Sequence, residues 1–242
     1  MPARRRHDVD VGGRLGLRST HRSRARRVIV AMDAPSVIGE NGRMRIIAGT
    51  WRSRKIARPR GRTTRPMPDR VKEAIFSILA SHFGCPGSLP QLPVADVFSG
   101  GGTMGLEALS RGAGHCTFFE RDRFALTALA QNIAALDAGG VSRIVRGDAW
   151  RVSARETATD GCRLLFLDPP YRDATNTTAD GSVLRYLAHV AGARAPDAKH
   201  LMVVLHHPAK VAYDGSTVRF WRIIESRRMG SSGVTFFKNE CP

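Results

Sequence analysis

Cysteine is scarce in this chain: Cys85, Cys116, Cys162 and Cys241 are scattered over 242 residues without a Cys-x-x-Cys pair. That excludes a cysteine zinc site and a disulfide framework, and fits a reducing cytoplasm. Long apolar runs are missing too. The longest candidates, such as Leu201–Leu205, are of strand length and far short of the roughly 18 residues that a membrane-spanning helix needs. A protein with no membrane segment is expected, long enough to bury a full core. Acidic residues are also few, with 21 Asp and Glu against 38 Lys and Arg, for a net charge of +17.

This excess is unevenly placed. Residues 1–43 carry ten Arg against four acids, and residues 44–70 carry nine basic residues against one acid, so the first 70 residues supply +14 of the +17. A GC-rich coding sequence accounts for the excess of Arg over Lys, 33 to 5, but not for its clustering. A dense basic segment beside a near-neutral domain is the electrostatic footprint of a polyanion, most often nucleic acid; a solvated charge run is the plainer alternative.

Three segments follow. Residues 1–43 mix Arg with Gly, Ser and Val without a sustained period and read as a disordered Arg-rich tail. An RNA-binding arm, a transit peptide and sequence upstream of a true start at Met44 compete for it. Asp8 and Asp10 argue against the transit peptide, and a misassigned start or a dispensable tail is favoured. Residues 44–85 read as a basic hairpin, with strands Arg45–Trp51 and Arg52–Ile56 around Gly49, followed by a helix opening at Pro68 and Asp69. The candidate RNA-binding residues lie here: Arg45, Arg52, Arg54, Lys55, Arg58, Arg60, Arg62, Arg65 and Arg70. Trp51 suits base stacking, but packing is the better reading.

Residues 86–242 alternate strand-like and helix-like runs, which implies parallel strands with covering helices. Strands are expected at Val94–Phe98, Cys116–Glu120, Arg143–Val145, Leu164–Leu167 and Leu201–Leu205, with a closing hairpin at Val218–Ile224 and Val234–Phe237. Helices are expected at Met104–Ser110, Arg123–Leu136 and Ser182–Ala191. The fold class is α/β, an open doubly wound, seven-stranded, mostly parallel sheet with helices on both faces, plus the N-terminal hairpin and helix. Ligands of such sheets bind beyond the carboxyl ends of the strands where strand order reverses.

Two motifs fall at those ends. After the first core strand, Asp96-Val-Phe-Ser99-Gly-Gly-Gly-Thr-Met-Gly105 places Gly100, Gly102 and Gly105 at G-x-G-x-x-G spacing. Such a loop lets the backbone approach a cofactor, NAD or S-adenosylmethionine alike. Glu120, ending the next strand, can accept ribose hydroxyls. Asp148 suits either the adenine amino group or a helix N-cap. Asp96 either steadies the loop or meets the cofactor.

The fourth strand separates the cofactors. Asp168-Pro169-Pro170-Tyr171 sets a carboxylate and a carbonyl beside a flat ring. Exocyclic amines are poor nucleophiles because the lone pair is delocalised. Acceptors on both amino hydrogens, Asp168 and the Pro169 carbonyl, free that pair for attack on a methyl group, while Tyr171 stacks on the base in near-attack geometry. A paired base must first leave its stack. The adjacent His206 and His207 face opposite ways on a strand and read as surface or core residues, so no metal is expected.

Met44-Arg-Ile-Ile-Ala-Gly49, Thr64-Arg-Pro66 with Asp69-Arg-Val-Lys-Glu-Ala74, Asp96 to Gly105 with Gly105-Leu-Glu-Ala-Leu-Ser-Arg-Gly-Ala113, and Asp168 to Tyr171 together resemble the bacterial 16S ribosomal RNA guanine-N2 methyltransferase family called RsmD. The likeness runs from about Met44 to Phe237. It implies a Rossmann-like class I fold using S-adenosylmethionine, with ribosomal RNA or a small-subunit assembly particle as partner. Asp168, Pro169, Pro170 and Tyr171 would be catalytic. Asp96, Ser99, Gly100, Gly102, Gly105, Glu120 and Asp148 form the candidate cofactor set, and Arg45 to Arg70 would face RNA. A cytoplasmic monomer is expected. Residues 1–43 fall outside the family pattern, and the fifth strand reads Val203-Val-Leu-His-His207 where a Glu is expected near its end. DNA adenine N6 and protein glutamine N5 transfer use a similar pocket. An inactive RNA-binding relative is the alternative from another class, and an NAD-dependent oxidoreductase ranks third.

Overall fold

The computed structural model describes residues 44–60, 67–151, 161–193, 200–214 and 220–240; among them nine strands and four α-helices have both ends described, and a further helix opens at Ala149. The 1–43 tail, Arg62, Arg65 and Cys241 lie outside the described residues. Strands β1 (Met44–Arg45) and β2 (Lys55–Ile56) pair antiparallel, and α1 spans Asp69–His82. Next come β3 (Pro93–Val97), α2 (Thr103–Ser110), β4 (His115–Glu120), α3 (Arg123–Ala135) and β5 (Ser142–Arg146). The chain continues through β6 (Leu164–Leu167), α4 (Ser182–Gly192), β7 (Met202–Pro208), β8 (Trp221–Met229) and β9 (Ser232–Asn239).

The main sheet has the order β5-β4-β3-β6-β7-β9-β8, parallel from β5 to β7 and antiparallel at β9 and β8. Alternation along each strand splits the interior into two apolar clusters. Val94, Phe118, Phe166, Val204 and Phe236 face α1, α2 and α3, while Val97, Phe119, Leu165, Leu205 and Phe237 face α4. Because β4 lies on one side of β3 and β6 on the other, strand order reverses between β3 and β6. No helix among the described residues is long and apolar enough to cross a membrane.

Two expectations need correction. The hairpin strands are two residues each, because α2 takes up the backbone of the segment between them. Ile47 and Ala48 N–H donate to the Glu107 carboxylate at 2.7 and 3.0 Å, and Thr50 and Trp51 N–H donate to the carbonyl and hydroxyl of Ser110. Gly49 belongs here for steric reasons, since a Cβ on it would lie on the Ser110 carbonyl. Trp51 packs on the core. The second correction concerns β8, which runs on to Met229 opposite Ser232, well past Ile224. Its polar stretch Glu225–Arg228 lies on an edge strand, where backbone pairing suffices without an apolar face.

Candidate active site

The loop after β3 is built from unusual backbone. Phe98 has φ +66°, followed by Gly100 at +56° and Gly102 at +84°. A left-handed phenylalanine costs on the order of 1–3 kcal/mol, the kind of strain that collects at functional sites. Asp96 ties this loop to the strand beneath it: its Oδ2 accepts the Gly105 N–H at 2.9 Å. The Asp96 carboxyl is buried, which raises its pKa to about 7; the Gly105 bond opposes the rise, and the negative charges of Asp168 and Glu120 reinforce it. Of its two sequence-derived roles, the loop-steadying one is the contact observed. Ser99 is occupied locally, its N–H and hydroxyl both donating to the Phe119 carbonyl.

Glu120, at the end of β4, is 4% exposed. Its Oε2 accepts the Gly100 N–H at 2.9 Å, and its Oε1 accepts from Arg121 and Asp122 N–H. One carboxylate therefore holds the glycine loop and the turn into α3 together. Asp148 follows β5 next to Glu120, since Gly147 N–H donates to the Glu120 carbonyl. Asp148 accepts the Trp150 N–H at 3.1 Å, as a cap does, and pairs with Arg121 at 3.0 Å.

Asp168 emerges from β6 at the reversal point, its N–H donating to the Val97 carbonyl. Pro170 precedes a 3₁₀ turn, Tyr171–Ala174, that leaves the Tyr171 ring 41% exposed. Asp168 Oδ1 lies 2.8 Å from His206 Nδ1, and the Tyr171 hydroxyl lies 3.3 Å from His206 Nε2. His206 is thus buried against the motif that the sequence singled out, a contact the sequence reading missed. The available signal was strand parity: His206 continues the face of Met202 and Val204 at the carboxyl end of β7. His207 points the other way, bonded to Thr235 and the Pro208 carbonyl in the core. Among the described residues no cluster could hold a metal ion.

The site therefore brings Glu120 and Asp168 close enough for their charges to act on the buried Asp96, around a glycine loop and an exposed ring. Arg45, Arg52, Arg54, Lys55, Arg58, Arg60 and Arg70 are all exposed, although Arg45 pairs with Asp69 and Arg54 donates to the Ala135 carbonyl. Asn132 links this basic segment to the site. Its amide accepts from Ala57 N–H and donates to the Ala57 and Gly101 carbonyls, at 2.6, 3.0 and 2.8 Å. Ala57 and Pro59 lie against Gly101, where an added Cβ would be 3.2 Å from the Ala57 carbonyl oxygen.

The model of the family described as "Conserved hypothetical protein 95" matches residues 44–238. The chain is 38% identical over 134 residues to "Putative rRNA methyltransferase YlbH" of Bacillus subtilis, covering 54% of this chain and 68% of that one. It is 38% identical over 132 residues to "Ribosomal RNA small subunit methyltransferase D" of Escherichia coli, spanning 62% of that protein's length. Among solved structures, "Putative methyltransferase yhhF" from Escherichia coli superposes with a TM-score of 0.62 at 27% identity, covering 83% of this chain and 100% of that one. With a class I methyltransferase sheet and a family match over most of its length, the chain belongs to the Conserved hypothetical protein 95 family, which is RsmD-like.

Proposed function

We propose that this chain transfers a methyl group from S-adenosylmethionine to the exocyclic 2-amino group of a guanine in small-subunit ribosomal RNA, acting in the cytoplasm as a monomer. The observation that carries this reading is the position of Asp168-Pro-Pro-Tyr171 at the strand reversal, beside the Asp96–Gly105 loop. Support for the ribosomal substrate comes from the names of the relatives and from the basic segment packed on Gly101.

The site fits the cofactor chemically. Glu120 offers an acceptor for ribose hydroxyls, the loop from Ser99 through Gly102 offers close backbone approach, and Asp148 lies beside Glu120. The neighbouring carboxylates of Glu120 and Asp168, whose charges already reach Asp96, favour a cationic ligand. When bound, S-adenosylmethionine supplies an electrophilic methyl group carried on a sulfonium.

Asp168 Oδ2, without a partner among the described residues, accepts one amino hydrogen of the base, and the Pro169 carbonyl accepts the other. Both contacts draw the nitrogen lone pair out of conjugation and stabilise the positive charge that develops on nitrogen. Tyr171 stacks on the base. The surplus proton on nitrogen then passes to Asp168 and on to solvent. Arg58 and Arg60, on the segment that packs against Gly101, neutralise backbone phosphates.

Labelled methyl transfer to small-subunit particles, DNA and protein in parallel tests this. Label in 16S RNA is expected, lowered on the order of 10²-fold or more by Asp168→Ala while cofactor binding persists. Label confined to DNA or protein, or no transfer with RNA binding intact, would contradict it.

A further inference from the structure

We propose that His206 is a positioning residue for this transfer, fixing Asp168 and Tyr171 through the two nitrogens of one imidazole. The proposal rests on the methyl-transfer reading above.

Hydrogen-bond chemistry sets the polarity of the relay. An ionised carboxylate only accepts, so Nδ1 carries the hydrogen directed at Asp168 Oδ1, 2.8 Å away. In the neutral ring Nε2 is then an acceptor, and the Tyr171 hydroxyl donates to it at 3.3 Å. The two rings meet edge to face, 5.5 Å between centroids at 65°.

Asp168 and Tyr171 both follow the end of a strand; the Asp168 side chain is 38% exposed and residue Tyr171 41%. Left alone, the carboxylate can rotate and the ring can swing. His206 is 7% exposed on β7, which is paired with β6 on one side and, through His206 opposite Val234, with β9 on the other. A rigid sheet strand thus holds two groups that the turn alone leaves loose. Occupation of Oδ1 also decides which oxygen meets the substrate: Oδ2 remains for the amino group. His206 lies 38 and 35 residues along the sequence from Asp168 and Tyr171, and the stretch that departs from the family pattern, Val203–His207, includes it.

Three substitutions separate the contacts. His206→Asn keeps an N–H near the Nδ1 position, His206→Gln keeps an amide near Nε2, and His206→Leu removes both. Each is assayed for kcat and KM on small-subunit particles, for cofactor affinity by calorimetry and for melting temperature. His206→Leu and His206→Gln should lower kcat by roughly tenfold or more, with cofactor Kd within about twofold of wild type, because small misplacements of reacting groups are costly. His206→Asn should recover kcat to within about threefold of wild type, since the Asp168 contact is the charge-assisted one.

Two results overturn the positioning role: His206→Leu keeping wild-type kcat, or His206→Asn falling as far as His206→Leu while folded and binding cofactor. Asp168→Ala, run alongside, separates this from the parent reading. Full activity in Asp168→Ala removes both. Loss in Asp168→Ala with full activity in His206→Leu removes the positioning role alone.

Discussion

Glu107, wholly buried in α2, receives the backbone N–H groups of Ile47 and Ala48 and the Arg111 Nε at 2.8 Å. This carboxylate clamps the N-terminal segment onto the sheet domain. Glu107→Ala would leave Arg111 and two N–H groups without their acceptor, and the expected loss is about 3 kcal/mol in denaturant unfolding. Faster amide exchange at Ile47 and Ala48 should accompany it. A loss below about 0.5 kcal/mol would show that water replaces the clamp at no cost.

Asp96 gives the fold a pH signature. Its carboxyl, raised by burial from 3.8 to about 7, holds a proton in the folded state that the unfolded chain releases. Between those values the folded state binds more protons, so stability falls as pH rises. The contribution is full below about pH 4 and lost through about pH 7. Asp96→Asn keeps an acceptor for Gly105 without the charge. Without cofactor, its stability relative to wild type should rise from pH 4 to pH 7, by at most a few kcal/mol. A pH-independent difference contradicts the assignment.

Gly105 is a packing glycine. A Cβ there would lie 2.4 Å from Phe118 and 2.5 Å from Cys116 Sγ, both fully buried. Gly105→Ala should destabilise by about 1–3 kcal/mol through overpacking. An unchanged melting temperature would mean that α2 shifts away freely.

Arg58 and Arg60 are exposed on the segment that Asn132 pins beside the glycine loop. Arg58→Ala with Arg60→Ala should weaken RNA binding and reduce the slope of log K against log salt by about 1–2, while cofactor affinity is unchanged. An unaltered slope would place the phosphate contacts elsewhere.

The strand positions were legible because the parallel strands carry apolar stretches ended by turn signals, with Glu120 and Asp168 where β4 and β6 stop and Asp96 one residue before the end of β3. Boundaries at α2, α3 and α4 shifted by a residue or so, and Gly112, with φ +111°, follows α2 as expected of a helix-ending glycine. Contacts between distant side chains were not legible. Glu107, Asn132 and His206 each bond to residues 35 or more positions away, with nothing local to mark the partner. A buried Glu amid the apolar face of α2 was the one hint. The short hairpin was misread because its backbone is satisfied by a helix beyond the reach of strand periodicity.

Nucleoside mass spectrometry of 16S RNA, after incubating unmodified small-subunit particles with S-adenosylmethionine and either wild-type protein or Asp168→Ala, addresses the central claim most directly. N2-methylguanosine should form with wild type and drop on the order of 10²-fold with the variant. A methylated adenosine, a guanosine methylated on a ring nitrogen, or equal yield from both proteins would contradict the account.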